Sequence, residues 1–266
     1  MASEKKKLRI ASVGSSFAAG PGIPPQIKPF AAGRSGQNYP HLLAKELNAD
    51  LTDLSVSGAT LLNITAEPQV TAYSDAVFPP QILSIPEDAD IITITAGGND
   101  IGYIGNMIQD AADATYSQAS LATTTPLFDE EFSLPKRLGD TLDRIHEKAP
   151  KARIYVVEYL AILGPCTKPK VDIPFNQERI DHHSRVASRL QNAYAMAVAT
   201  RSDWCERVPI HQLSLDHALG SQEPWVSGFD LNWMSQGGVV LHPNLGGMQA
   251  VAGILLETIR KETPRL

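Results

Sequence analysis

The sequence predicts an α/β fold, a three-layer α/β/α sandwich built on a mostly parallel central sheet. Three observations predict it. Short runs rich in β-branched or continuously apolar residues recur along the chain, segments with helical apolar spacing separate them, and glycine-bearing turn segments stand where the strands would end.

The elements follow in order. Residues 9–13 (RIASV) and 50–56 (DLTDLSV) read as strands. Between them, over 39–47, Tyr39, Leu42, Leu43 and Leu47 share one helical side, and Pro40 suits a first turn, where its missing N–H costs no hydrogen bond. Residues 90–96 (DIITITA) are β-branched, and 152–157 (ARIYVV) are almost continuously apolar, as strands covered on both faces are. Leu134, Leu138, Leu142 and Ile145 recur at helical spacing over 134–148, which supplies a crossover between those two strands. A long helix is expected over 176–201, burying Ile180, Ala187, Leu190, Tyr194 and Val198, with a short strand after it at 208–211. Val251, Leu255 and Ile259, with Ile254 beside them, mark a closing amphipathic helix over 247–262, and the tail beyond it should fray. With no internal repeat or linker evident, one domain over 1–266 is expected, with residues 1–7 flexible. The turn-rich stretches 20–36 and 68–86 are expected as loops that shape a substrate entrance.

Composition excludes several classes of function. Of 266 residues, 43% are apolar and 20% charged, so disorder, collagen-like structure and a coiled-coil rod are poor descriptions. The net charge of -6 carries no basic footprint, and no nucleic-acid partner is expected. No run reaches the roughly 18 apolar residues of a spanning helix, so no integral membrane association is expected. The opening MASEKKKL runs straight into RIASVG without a secretory pattern, and the expected location is cytoplasmic. Cys166 and Cys205 are too few for a disulfide framework and read as reduced structural thiols. His182 and His183 are adjacent, point in different directions on a helix, and read as helix-surface residues rather than a metal pair. No metal and no cofactor are expected.

Four segments carry residues suited to chemistry. VGSSFAAG (13–20) follows a strand: Gly14 lets the chain turn, and Ser16 is then either an exposed nucleophilic hydroxyl or a cap residue. In VSGAT, Gly58 either aims its N–H at a developing oxyanion or satisfies a tight bend. ITAGGND (94–100) ends a strand, where Asn99 has an amide donor for an oxyanion and Asp100 a carboxylate that orients neighbours; the alternative is a connecting turn. In LHPNLGG (241–247), His242 has the acceptor and near-neutral pKa of a general base, or else it packs at a helix start capped by Asn244.

Taken in order, GSSF, SGAT, GGND and HPN resemble the blocks of the SGNH hydrolase superfamily, the esterases and lipases of GDSL type. The resemblance implies the flavodoxin-like SGNH architecture and serine-dependent hydrolysis of carboxylic esters through an acyl-enzyme, without cofactor. It implies Ser16 as nucleophile, His242 as base, and an oxyanion hole made by the Ser16 N–H, Gly58 and Asn99. The substrate it implies is a small-molecule or carbohydrate ester with a short-to-medium acyl group; the enzyme is then an esterase, lipase or carbohydrate-ester deacetylase. Two positions depart from the pattern. Ser15 stands where the GDS block has aspartate, and Val239 stands where the family commonly has aspartate three residues before its histidine. The Val239 backbone carbonyl is therefore expected to orient His242 in a serine–histidine dyad, with Asp230 as the alternative. Residues 216–233, with His217, Trp225, Phe229 and Trp233, resemble the approach to the site in the actinobacterial esterase-like branch, and the last three are candidate pocket walls. A catalytically silent SGNH-fold module for ligand or protein binding is the competing expectation.

Overall fold

In the computed structural model, which describes residues 7–71, 74–116 and 130–262, five parallel strands make the central sheet. β1 (Arg9–Gly14) leads into the one-turn α1 (Ser16–Ala19), then α2 (Tyr39–Glu46) and β2 (Asp50–Asp53). α3 (Leu61–Thr65) and a small hairpin, β3 (Gln69–Val70) with β4 (Val77–Phe78), precede β5 (Ile91–Thr95). α4 (Tyr103–Tyr116), α5 (Glu130–Lys148), β6 (Arg153–Val157), α6 (Gln177–Ala199) and β7 (Cys205–Val208) follow. α7 (Ile210–Leu213), α8 (Leu231–Ser235) and α9 (Leu245–Glu262) complete the described order.

The strand order is β2-β1-β5-β6-β7. The chain leaves β1 toward one edge and returns on its other side as β5, which makes the gap beyond the carboxyl ends of β1 and β5 the topological switch point, the place where parallel α/β sheets bind ligands. The registers Val13↔Ile94 and Ile92↔Ile154 align the apolar runs, and all five residues of β5 are buried. Helices cover both faces: α2 packs beside α9 on one, and α5 beside α6 on the other. The three-layer expectation holds.

Several boundaries move for physical reasons. β2 stops at Asp53 because the Asp53 carboxylate accepts from the Ser55 N–H at 3.0 Å and the Ser55 hydroxyl at 2.6 Å, bending the chain out of the sheet. The strand expected at 208–211 lies earlier: it ends at Val208, Pro209 follows, and Ile210–Leu213 turns helical. His183 is not a surface residue. It falls on the buried stripe Ile180, His183, Ala187 and Leu190, stacks on Phe175 at 5.0 Å between centroids, and meets Asp110 at 3.1 Å. The N-terminal and C-terminal tails expected to be loose lie outside the described residues except at Lys7, which pairs with Asp50 at 2.7 Å, and Glu262. Among the described residues no helix is long and apolar enough to cross a membrane.

Candidate active site

Gly14 ends β1 with φ +146°, and a Cβ there would stand 2.4 Å from the Thr95 carbonyl oxygen, so only glycine lets β1 and β5 come this close as the chain turns. The Gln81 amide holds that turn from the side, accepting from the Gly14 N–H at 2.8 Å and donating to the Gly14 carbonyl at 3.0 Å. Ser15 is extended and donates its N–H to Thr95 at 2.9 Å, which leaves Ser16 as the first residue of α1. The backbone N–H groups of Ser16 and Gly58 have no backbone acceptor among the described residues.

The Ser16 hydroxyl lies 2.9 Å from Nε2 of His242, from a residue 226 positions along the chain. On the far side of the ring, Nδ1 lies 2.7 Å from the carbonyl oxygen of Val240. A carbonyl only accepts, so Nδ1 carries the proton; the neutral ring then presents its lone pair at Nε2, and the Ser16 hydroxyl donates to it. Burial holds the His242 pKa below its ordinary value while the Val240 carbonyl pulls the other way, which keeps the ring neutral. Phe17 packs against the His242 ring at 5.3 Å and against Tyr159 at 4.3 Å between centroids.

The orienting group therefore corrects the sequence expectation by one residue. The Val239 carbonyl is taken by the Ser227 hydroxyl at 3.0 Å, and Leu241, at φ +53°, swings the Val240 carbonyl toward the ring. Asp230, the alternative, caps α8 instead, accepting from the N–H groups of Asn232 at 2.8 Å and Trp233 at 3.0 Å. Asn244 caps α9 through the Gly247 N–H at 2.9 Å, as the helix-start reading of the HPN segment has it.

Asn99 follows β5 and faces the turn after β2. Its Nδ2 donates to the Ala59 carbonyl at 2.9 Å, which uses one of two amide protons. Gly58, at φ +85°, is exposed in that turn. Of the expected pocket-wall residues, Trp225 stacks on His217 at 3.8 Å between centroids, Phe229 packs on the core, and Trp233 is exposed beside Gly238.

Sequence reasoning missed the groups that hold these parts. Tyr159 is buried beneath the turn that bears Ser16, its hydroxyl 2.6 Å from the Ser15 hydroxyl. Asp100 is joined to Arg137 of α5, a pairing that no spacing reveals. A cavity of about 440 Å³ lies between α6 and α7, lined by Tyr103, His183, Ser188, Gln191 and His211 among others, and it includes neither Ser16 nor His242. The contact between the Ser16 hydroxyl and the His242 imidazole lies outside this cavity.

Comparison with known proteins gives a consistent set. The family model described as GDSL-like lipase/acylhydrolase matches residues 12–250. Lipase 2 of Streptomyces coelicolor is 26% identical over 261 residues, covering 91% of this chain and 82% of that protein. Among solved structures, the extracellular lipase of Streptomyces rimosus superposes with TM-score 0.74 at 20% identity, covering 95% of this chain and 99% of that one. Phospholipase A1 of Streptomyces albidoflavus NA297 superposes with TM-score 0.71 at 15% identity over the same shares, 95% and 99%.

Proposed function

The chain belongs to the GDSL-like lipase/acylhydrolase family and is a carboxylic-ester hydrolase; from that premise we propose that it works through Ser16 and His242 as a dyad that forms an acyl-enzyme. The observation that carries this reading is the 2.9 Å contact between the Ser16 hydroxyl and an imidazole nitrogen whose tautomer leaves it a lone pair. As Ser16 Oγ attacks the ester carbon, its proton passes to His242 Nε2. The tetrahedral oxygen is stabilised by the Ser16 and Gly58 N–H groups and the second amide proton of Asn99. Collapse expels the alcohol, which takes the proton from His242. Water then attacks the acyl-enzyme with His242 again as base, and the acid leaves.

The Val240 carbonyl orients the ring without a full negative charge, so it stabilises imidazolium less than a carboxylate would. We propose short-to-medium acyl esters of small molecules or carbohydrates as the substrate class, with Trp225, Phe229 and Trp233 bordering the acyl group. The segment that bears them leads into the histidine loop and is bridged to it at Val226↔Pro243.

The test is hydrolysis of acyl esters graded by chain length, by wild type, Ser16→Ala and His242→Ala, each confirmed folded. The expected result is turnover by wild type and a loss of about 10³-fold or more in either variant. Turnover unchanged in either variant overturns the assignment, and a wild type inert on every ester favours the catalytically silent module.

A further inference from the structure

The two groups assigned to the oxyanion hole from outside the nucleophile turn, Gly58 and Asn99, stand on different loops, and catalysis by them requires those loops to keep a fixed separation. Two adjacent residues tie the loops together. Asn99 donates to the Ala59 carbonyl at 2.9 Å, and the Asp100 carboxylate accepts from the Leu61 N–H at 3.1 Å. Leu61 opens α3, so Asp100 satisfies a helix-start donor that the Thr60–Asn63 capping box leaves free. The Asp100 side chain is fully buried, and its charge is matched by Arg137, which reaches in from α5 and remains 35% exposed. Burial pushes the Asp100 carboxyl up, while Arg137 and the Leu61 N–H pull it down.

We propose that the Arg137–Asp100 pair is a positioning device for the oxyanion hole: Arg137 keeps Asp100 ionised and in place, and Asp100 fixes the 58–61 turn against Asn99. The proposal rests on the hydrolase reading above. Neither residue touches the reacting atoms. The pair differs from exposed Asp–Arg contacts such as Arg201–Asp143, where the carboxylate side chain is 45% exposed. Removing Arg137 leaves a buried carboxylate uncompensated, and the loop must move or the group must protonate. A shift of about 1 Å at a transition-state donor is worth about 10²-fold in rate.

The experiment compares wild type, Arg137→Met and the double variant Arg137→Met/Asp100→Asn in steady-state ester hydrolysis, with amide hydrogen exchange of residues 58–61 followed by NMR. Arg137→Met is expected to lower kcat about 10–100-fold with KM within about twofold, and to speed exchange at Leu61. Asp100→Asn, added to it, removes the stranded charge while keeping a carbonyl to accept from Leu61. The double variant is therefore expected to regain about tenfold of the lost kcat and to slow exchange again, which a general loss of helix packing by α5 would not produce. Unchanged kcat and exchange in Arg137→Met, or no recovery in the double variant, overturns the proposal. If wild type hydrolyses no ester, the hydrolase reading fails and exchange alone decides the clamp: faster exchange at Leu61 in Arg137→Met supports it, and unchanged exchange overturns it.

Discussion

Tyr159→Phe removes one oxygen from beneath the turn that bears Ser16, and the structure sets the size of the effect. Ser15 stands at the N-cap of α1 yet makes no cap bond, because its hydroxyl is drawn to the Tyr159 hydroxyl at 2.6 Å. Its other contact, to the Thr95 carbonyl, is long at 3.4 Å. Burial pushes the Tyr159 phenol far up, with the Ser15 hydroxyl pulling it down. Ser15 is 0% and Tyr159 1% exposed, so water cannot replace what the substitution removes. Leaving the buried Ser15 hydroxyl short of its hydrogen bond costs about 2 kcal/mol. For a chain of this size that lowers Tm by about 4–8 °C. Ser15→Ala, which deletes the other partner, allows a double-mutant cycle by urea denaturation, with an expected coupling of about 1 kcal/mol. Because Ser15 precedes Ser16, kcat should fall with stability. A Tyr159→Phe cost under about 0.5 kcal/mol, or a cycle additive within about 0.3 kcal/mol, would refute the reasoning.

Burial of His242 sets the pH dependence: a protonated ring cannot take the Ser16 proton, so kcat/KM should fall as pH falls through a midpoint below 6.5, and a midpoint at or above that value contradicts the cause given. Cys205 is buried with its thiol pushed up to about 12, whereas Cys166 is exposed; a thiol reagent should label Cys166 in the native protein and Cys205 only on unfolding, and equal rates would count against this. Burial and the neighbouring Glu262 raise Glu206 to about 7, so the fold holds a proton there that the unfolded chain, titrating near 4.5, has released. That stabilisation is lost as pH rises from the lower value to the higher. Glu206→Gln should therefore gain stability relative to wild type between those limits in urea melts at a series of pH values, and a flat difference would sink the assignment.

The fold was legible wherever one strand or helix carried its own signal. β5 and β6 are buried on both faces and read as apolar runs; α2, α5, α6 and α9 keep a stripe, and their bounds fell within a few residues. Short elements were not legible. α3, α8 and the strands of the β3–β4 hairpin hold two to five residues each, too few for a periodic signal, and α3 also owes its start to a distant loop, through Leu61 and Asp100. The site divides the same way. Ser16, Gly58 and Asn99 sit in segments that follow strands and His242 in the segment before α9, so pattern singles those segments out, while their proposed roles come from the family resemblance. Tyr159, Gln81 and Arg137 act from 144, 67 and 37 residues away from their partners, and nothing in local spacing marks them.

The miss at Val239 has the clearest physical content. Counting residues back from a histidine assumes a loop of ordinary conformation, and this loop is not ordinary: Leu241, fully buried, adopts φ +53°, a conformation that costs a β-carbon-bearing residue about 1 kcal/mol. Such strain persists where the surroundings over-determine it, and here they do. Leu241 donates to the Ser227 carbonyl at 3.1 Å, Ser227 donates to the His242 carbonyl at 2.8 Å, and Asn244 donates to the Trp225 carbonyl at 3.0 Å, so the loop is zipped to the strand-like segment 225–227 on both sides of the kink. The kink turns the Val240 carbonyl onto Nδ1, two residues before the histidine rather than three. A side-chain carboxylate at 239 would have needed no such zipper, because a flexible side chain finds the ring by itself. A backbone acceptor has no side-chain freedom, and the protein supplies the missing precision by fixing the loop. In the proposed mechanism the aspartate's orienting role has thus passed from one residue to a conformation, and its charge has not been replaced.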